Sequence, residues 1–171
     1  EAWQFENNGT PVTTEIKVSK AEVGRYFLDS SMFLTIRANG TVQYRSGSFT
    51  LPVAKDRQLA GLLVSYSSKD QVSSILPASI ISHFLQDLED GKYAGFPNLG
   101  IGYSQTLDEQ FRKYLKLSDE KGGIYINEVV PGASAAAAGL KAGDVILDID
   151  GKPIDARGNY DHPVWGKLSL S

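Results

Sequence analysis

Serine, histidine and aspartate are the residue types in this chain that can assemble a hydrolytic relay. Ser46 and Ser48 flank Gly47 in a short polar stretch. A serine becomes a nucleophile only beside a general base that a third group orients. The two histidines, His83 and His162, are the available imidazoles. His83 falls off the Ile80/Phe84/Leu88 stripe of a helical pattern and reads as a solvated side chain. His162 lies in DARGNYDHPVWG (155–166), a Gly- and Pro-containing loop. The plain reading of Ser46 and Ser48 is solvated loop serines, because a nucleophile needs both a base and an orienting group, so Ser48 stands as a weak catalytic candidate. Asp144 and Asp150 each adjoin a glycine, Gly143 and Gly151, and predict turns rather than a carboxylate pair. With two isolated histidines and no cysteine, neither a metal site nor a cofactor is expected.

The chain has 171 residues, room for one large domain or two small ones. Its 42% hydrophobic and 22% charged content is ordinary for a soluble globular protein. The net charge of −3 and the scattered lysines and arginines argue against nucleic acid or an anionic membrane as partner. No apolar run approaches the roughly 20 residues needed to span a bilayer. The first ten residues lack the basic-then-apolar order of a secretion signal. The absence of cysteine suits a bacterial envelope and a cytosol equally.

Residues 12–66 read as short strands broken by turns. Val12–Val18 alternates, Met32–Ile36 is apolar, and Asn39-Gly40 predicts a two-residue turn with Thr41–Tyr44 as the returning strand. Leu59–Tyr66 predicts a buried strand. This spacing suggests a barrel or sandwich. The period then changes: Ile80, Ile81, Phe84, Leu85 and Leu88 share one helical face, which predicts an amphipathic helix over Pro77–Glu89 with Ile80, Phe84 and Leu88 inward. GKYAGFPN (91–98) reads as the joint between two domains. Asp108–Leu117 predicts a second helix with Leu107, Phe111, Tyr114 and Leu115 inward.

Residues 123–151, GIYINEVVPGASAAAAGLKAGDVILDIDG, follow a longer order. Ile124–Val130 is a strand pattern that Pro131-Gly132 stops. Ser134 is placed to cap a short Ala135–Ala138 helix, and Gly139 to end it in the left-handed region. Gly143-Asp144 predicts a turn, Val145–Ile149 a buried strand, and Asp150-Gly151 a tight hairpin into Lys152-Pro153-Ile154. This order resembles the core of a PDZ domain of the HtrA/Deg protease type. The resemblance extends upstream. ILPASIISHFLQDLEDGKYAGFPNLGI (75–101) is similar to the exit from an HtrA/Deg protease barrel, EIKVSKAEVGRY (15–26) to a strand before its nucleophile region, and LAGLLVSYSS (59–68) to the strand after it. The implied fold is mainly β with short helices: half of a trypsin-like barrel over residues 1–90, then a PDZ domain over 95–171.

The resemblance also implies roles. Active members carry Gly-Asn-Ser-Gly-Gly-Pro at the nucleophile, with glycines that let backbone amides form an oxyanion hole. Matching Gly47, Pro52 and Val53 without a gap sets Phe49 in the nucleophile position and Thr50 and Leu51 where glycines belong. A one-residue shift sets Ser48 there instead but loses the proline. The barrel that supplies the family's catalytic His and Asp has no counterpart here, so the expectation is a proteolytically silent portion. In PDZ domains an apolar-Gly-apolar loop aims backbone N–H groups at a peptide's terminal carboxylate. Here that loop is Asn98-Leu99-Gly100-Ile101, and Ile101, Gly102, Tyr103 and Ser104 are the strand edge that an incoming peptide joins. The implied partners are peptides or unfolded segments, especially C-termini, and the implied setting is protein quality control in a bacterial envelope. Two rival readings remain: a piece of an active serine endopeptidase, and a structural or homo-oligomerisation module. The groove-closing helix of this PDZ type follows the region matched by Lys167–Ser171, so a PDZ domain truncated at its C-terminus is expected.

Overall fold

The computed structural model describes residues 1–6, 8–25, 32–43, 50–89, 91, 93, 95–96, 98–118 and 120–170. The chain is mainly β with short helices, as its short strand patterns and its resemblance imply. It divides into two compact units, Glu1–Ala94 and Gly95–Ser171.

The first unit contains β1 (Ala2–Phe5), β2 (Pro11–Thr14), β3 (Lys17–Arg25), β4 (Met32–Asn39), β5 (Leu51–Lys55), β6 (Gln58–Ser67), β7 (Val72–Pro77) and α1 (Ala78–Leu88). Its strands form one seven-stranded sheet in the order β2-β1-β5-β6-β7-β4-β3, and the pairs are antiparallel. β2 and β3 lie at opposite ends of that order, yet only Glu15 and Ile16 separate them. Six strand spacings in a flat sheet would hold the two edges about 29 Å apart. The three residue steps from Thr14 to Lys17 reach only about 10 Å. The sheet is therefore rolled until its edges come close, the geometry of a barrel wall. Ala2, Ala38, Val42, Leu51, Val53, Leu63 and Ile75 fill the inside, and Ile16 packs against them from the short link. Leu63 and Ile75 are 0% and 2% exposed, and burying such a side chain contributes about 1.5–3 kcal/mol.

Several expectations in this unit need correction. Val12–Val18 is not one strand, because its two halves pair at opposite edges of the sheet. Thr41–Gln43 is not a returning strand: β4 already has β3 on one side and β7 on the other, so no edge is left for it. Tyr44 lies outside the described residues. β6 covers the predicted 59–66 strand but is buried only in part; Leu63 is inside while Leu59 is 51% exposed. α1 matches its predicted span, with Pro77 at the N-cap. It packs beside β6 and β7, but Phe84 and Leu88 are 40% and 42% exposed rather than inward. The stripe is covered at its start, where Ile80 and Ile81 are half-buried, and only partly further on, where the Tyr93 ring meets Phe84 edge-on at 5.7 Å.

The second unit contains β8 (Ile101–Gln105), α2 (Glu109–Tyr114), β9 (Ile124–Val129), α3 (Ser134–Ala137), β10 (Val145–Ile146), β11 (Asp148–Ile149), β12 (Lys152–Pro153), β13 (Asn159–His162) and β14 (Gly166–Ser169). β10, β9 and β8 form a three-stranded antiparallel sheet with β8 at one edge. β11 and β12 are a two-residue hairpin through Asp150 and Gly151, at φ +50° and +71°. Positive φ at both central residues is what a type I′ turn requires. The expected Val145–Ile149 strand is split in two, and Leu147 between the halves is 39% exposed. α2 is shorter than predicted. Asp108 caps it by accepting from the Phe111 N–H at 2.8 Å, and Lys116, at φ +56°, leaves the helical region. Phe111 and Leu115 are half-buried, whereas Leu107 and Tyr114 are exposed. Ser134 is the first helical residue of α3, not its cap; that position belongs to Ala133, whose methyl side chain makes no cap bond.

Candidate functional site

Residues 98–101 and β8 lie on one side of the three-stranded sheet, and the hydrogen bonds around them fix which way their backbone points. The Leu99 carbonyl accepts from the Ala135 N–H at 3.0 Å, and the Gly100 carbonyl accepts from the Val130 N–H at 2.8 Å. In a trans peptide unit the N–H points opposite to the C=O of the same plane. The Gly100 and Ile101 N–H groups therefore both point away from the groups that hold those carbonyls. Successive N–H groups arranged in this way form an anion-binding concavity. Gly100 makes the turn possible: its φ is +68°, and a Cβ there would sit 2.2 Å from the Ala133 Cβ. Leu99 O also satisfies an N–H in the first turn of α3, where a short helix leaves donors without intrahelical partners.

Along β8 the same reasoning holds. Ile126 gives its carbonyl to the Gly143 N–H at 2.8 Å and takes the Asp144 carbonyl at 2.9 Å with its own N–H. Tyr103 is paired opposite Ile126 and so aims its backbone groups outward. The ladder has a bulge between Gly102 and Tyr103 that leaves Asn127 unpaired. Among the described residues, Ile101 and Tyr103 thus present alternate N–H and C=O groups along an edge with no further strand. The edge ends at Thr106, whose N–H donates to the Ala156 carbonyl at 2.9 Å.

The predicted residues Asn98, Leu99, Gly100, Ile101, Gly102, Tyr103 and Ser104 are contiguous on this loop and edge. Asn98 and Leu99 are exposed, and Gly100 to Ser104 are half-buried. Asn98 Oδ1 accepts from the Gly100 N–H at 2.7 Å. Ser104 Oγ accepts from Asn127 Nδ2 at 3.0 Å. Ser46, Gly47, Ser48 and Phe49 lie outside the described residues, and Thr50 is exposed next to buried Leu51.

Three supports of the edge were not singled out by sequence. Ala133 seats the Gly100 turn; in the sequence it is only a lone alanine between Gly132 and Ser134. Thr106, 0% exposed, donates from Oγ1 to the Gly123 carbonyl at 2.6 Å. Its own carbonyl accepts from Arg112 Nη1 at 3.1 Å, and Arg112 Nη2 bonds the Ser118 and Lys121 carbonyls at 2.6 and 2.5 Å. One guanidinium thus ties together the loop between α2 and β9. Asp155 organises the loop after β12. Its Oδ1 accepts from the Arg157 and Asn159 N–H groups at 2.9 Å each, and Lys167 Nζ lies 3.4 Å from Oδ2. Partial burial pushes the Asp155 carboxyl upward, but the hydrogen bonds from Asn159 and Arg157 and the Lys167 contact outweigh it and hold the pKa down at about 2. This loop carries Gly158, whose Cα faces the Tyr103 ring closely enough that a Cβ would lie 3.2 Å from Cε2.

The other polar candidates have local structural roles. Asp144 Oδ2 accepts from the Lys141 N–H at 2.9 Å, and Asp150 forms the hairpin turn. His162 Nδ1 accepts from the Val164 and Trp165 N–H groups at 3.2 Å each, closing the β13–β14 loop. His83 is an exposed residue of α1. Among the described residues no three His, Cys, Asp or Glu side chains are grouped to hold a metal ion. No helix among them is long and apolar enough to cross a membrane.

Residues 99–161 match the PDZ domain family. Protease Do-like 4, mitochondrial, of Arabidopsis thaliana is 33% identical over 135 residues, 78% of this chain and 26% of that protein. Protease Do-like 2, chloroplastic, of the same plant is 30% identical over 146 residues, 82% of this chain and 23% of the relative. Periplasmic serine endoprotease DegP of Salmonella typhimurium is 32% identical over 100 residues, 56% of this chain and 21% of that protein. The chain spans about a quarter of the length of the curated relatives it matches. It carries a PDZ domain and is homologous, over most of its length, to the Do-like and DegP serine proteases of the HtrA family.

Proposed function

We propose that this chain is a peptide-recognition module of an HtrA-like protein, which takes an extended segment as an added strand on β8. The observation that carries the reading is the outer edge of β8, where Ile101 and Tyr103 aim alternate backbone groups away from β9. A peptide strand pairs with such groups at every second residue, so affinity comes from main-chain hydrogen bonds and side-chain pockets set preference. The Asn98–Ile101 loop, with its outward N–H groups, receives the terminal carboxylate when the segment is a C-terminus. Residues 1–90 are the barrel portion and residues 95–171 the recognition domain. The barrel portion does not hydrolyse peptides by the family mechanism, because Phe49 or a misplaced Ser48 stands where a nucleophile with flexible neighbours is needed.

Alternate N-methylation tests the reading. A fluorescently labelled apolar peptide ending in valine is methylated on the backbone nitrogens of one alternating set, then of the other. Strand addition predicts that one set abolishes binding and the other leaves it nearly intact. Equal loss from both sets, or from neither, contradicts it.

A further inference from the structure

We propose that Asn98 is a specificity-determining residue of the β8 groove, its side-chain oxygen occupying a loop N–H that a ligand's terminal carboxylate would otherwise take. The inference rests on the strand-addition reading above and asks which end of a peptide the groove prefers.

Peptide-plane geometry leaves two outward N–H groups in the loop, those of Gly100 and Ile101. The first is not open. It donates to Asn98 Oδ1 at 2.7 Å, at the short end of the N–H···O range, between two solvent-accessible residues. The loop cannot readily turn to offer a different amide. Both of its carbonyls are bonded, Leu99 to Ala135 and Gly100 to Val130, and Gly100 is seated against Ala133. Asn98 therefore acts as a built-in neutral acceptor placed where an anionic one would bind. A free carboxylate must displace it to gain the second amide. An amidated end, or an internal segment passing along β8, needs only the strand pairing at Ile101 and Tyr103 and meets no such competition. The structure thus assigns the groove a weak preference for free C-termini, with internal extended segments as near-equal ligands.

The test uses the full chain and one apolar hexapeptide ending in valine, made as a free acid and as an amide. For the native chain the two should bind within about three-fold of each other. In Asn98→Ala the ratio of free-acid to amide affinity should rise roughly two- to ten-fold, the effect of one net hydrogen bond no longer displaced. Asn98→Asp keeps an oxygen on the Gly100 N–H and adds a negative charge, so it should weaken the free acid selectively at low salt. An acid-to-amide ratio that stays constant or falls in Asn98→Ala overturns the assignment, since Asn98 would then be organising the loop rather than occupying it. Tight free-acid binding by Asn98→Asp also overturns it. Failure of both peptides to bind any of the three proteins overturns the strand-addition reading itself, a result distinct from an unchanged ratio.

Discussion

Replacing Gly100 with alanine tests whether the loop is held by Ala133. The backbone there has φ +68°, and the new methyl carbon would sit 2.2 Å from the Ala133 Cβ, where 3.4–4 Å is ordinary contact. The left-handed conformation costs an L-residue about 1–2 kcal/mol, and forcing an extra carbon into packed structure costs about 1–3 kcal/mol. Gly100→Ala should therefore destabilise the second unit by about 2–5 kcal/mol. The two causes can be separated. Ala133→Gly removes the clashing methyl at a position where the helix cap tolerates glycine. In the double variant the backbone cost remains and the clash does not, so the two changes should couple favourably by about 1–3 kcal/mol. Urea unfolding followed by tryptophan fluorescence measures this. The chain has two tryptophans, so a Trp3→Phe background leaves Trp165 as the reporter of the second unit. A Gly100→Ala cost below about 1 kcal/mol, or a coupling near zero, would refute the packing argument. The same geometry warns that a bulky residue at 100 would weaken peptide binding by disturbing Ala133, whether or not a carboxylate binds there.

Other perturbations have definite outcomes. Thr106→Val keeps the shape of a buried side chain but strands the Gly123 carbonyl, so urea unfolding should show a loss of about 1–3 kcal/mol. Asp155, with its pKa held below the ordinary 3.8 at about 2, stabilises the fold above the ordinary value and loses that contribution as pH falls from about 4 to about 2. Thermal melts of Asp155→Asn should accordingly show a shallower decline across that window than the native chain; parallel curves would contradict the assignment. The chain should leave unfolded casein intact on gels, and turnover that disappears in Ser48→Ala would reverse the reading of the nucleophile region.

Local chemistry made the second unit readable in sequence. Asp150-Gly151, Gly139 and Pro131-Gly132 announce turns that the backbone takes, and the β9 strand ends at Val129, one residue short of its expected Val130. Long-range pairing was not readable. Nothing in residues 12–18 shows that β2 and β3 belong to opposite edges of one sheet, nor does Asn39-Gly40 show that β4 is already flanked on both sides. Periodicity identifies the stripe on α1 but not what covers it, so Phe84 and Leu88, expected inward, stand partly exposed. At the candidate site the contiguous loop and edge were visible as Asn98 to Ser104. The Asn98 bond to Gly100 and the Ala133 seat were not, because both depend on where side chains meet after folding.

The most direct measurement of the central claim is amide hydrogen exchange with and without a saturating apolar peptide. Strand addition predicts that the Ile101 and Tyr103 amides, outward on the free edge, slow markedly on binding. The Ile126 amide, already bonded to Asp144, should change little. Peptide binding that leaves Ile101 and Tyr103 exchanging at their free rates would contradict the claim that β8 is the recognition strand.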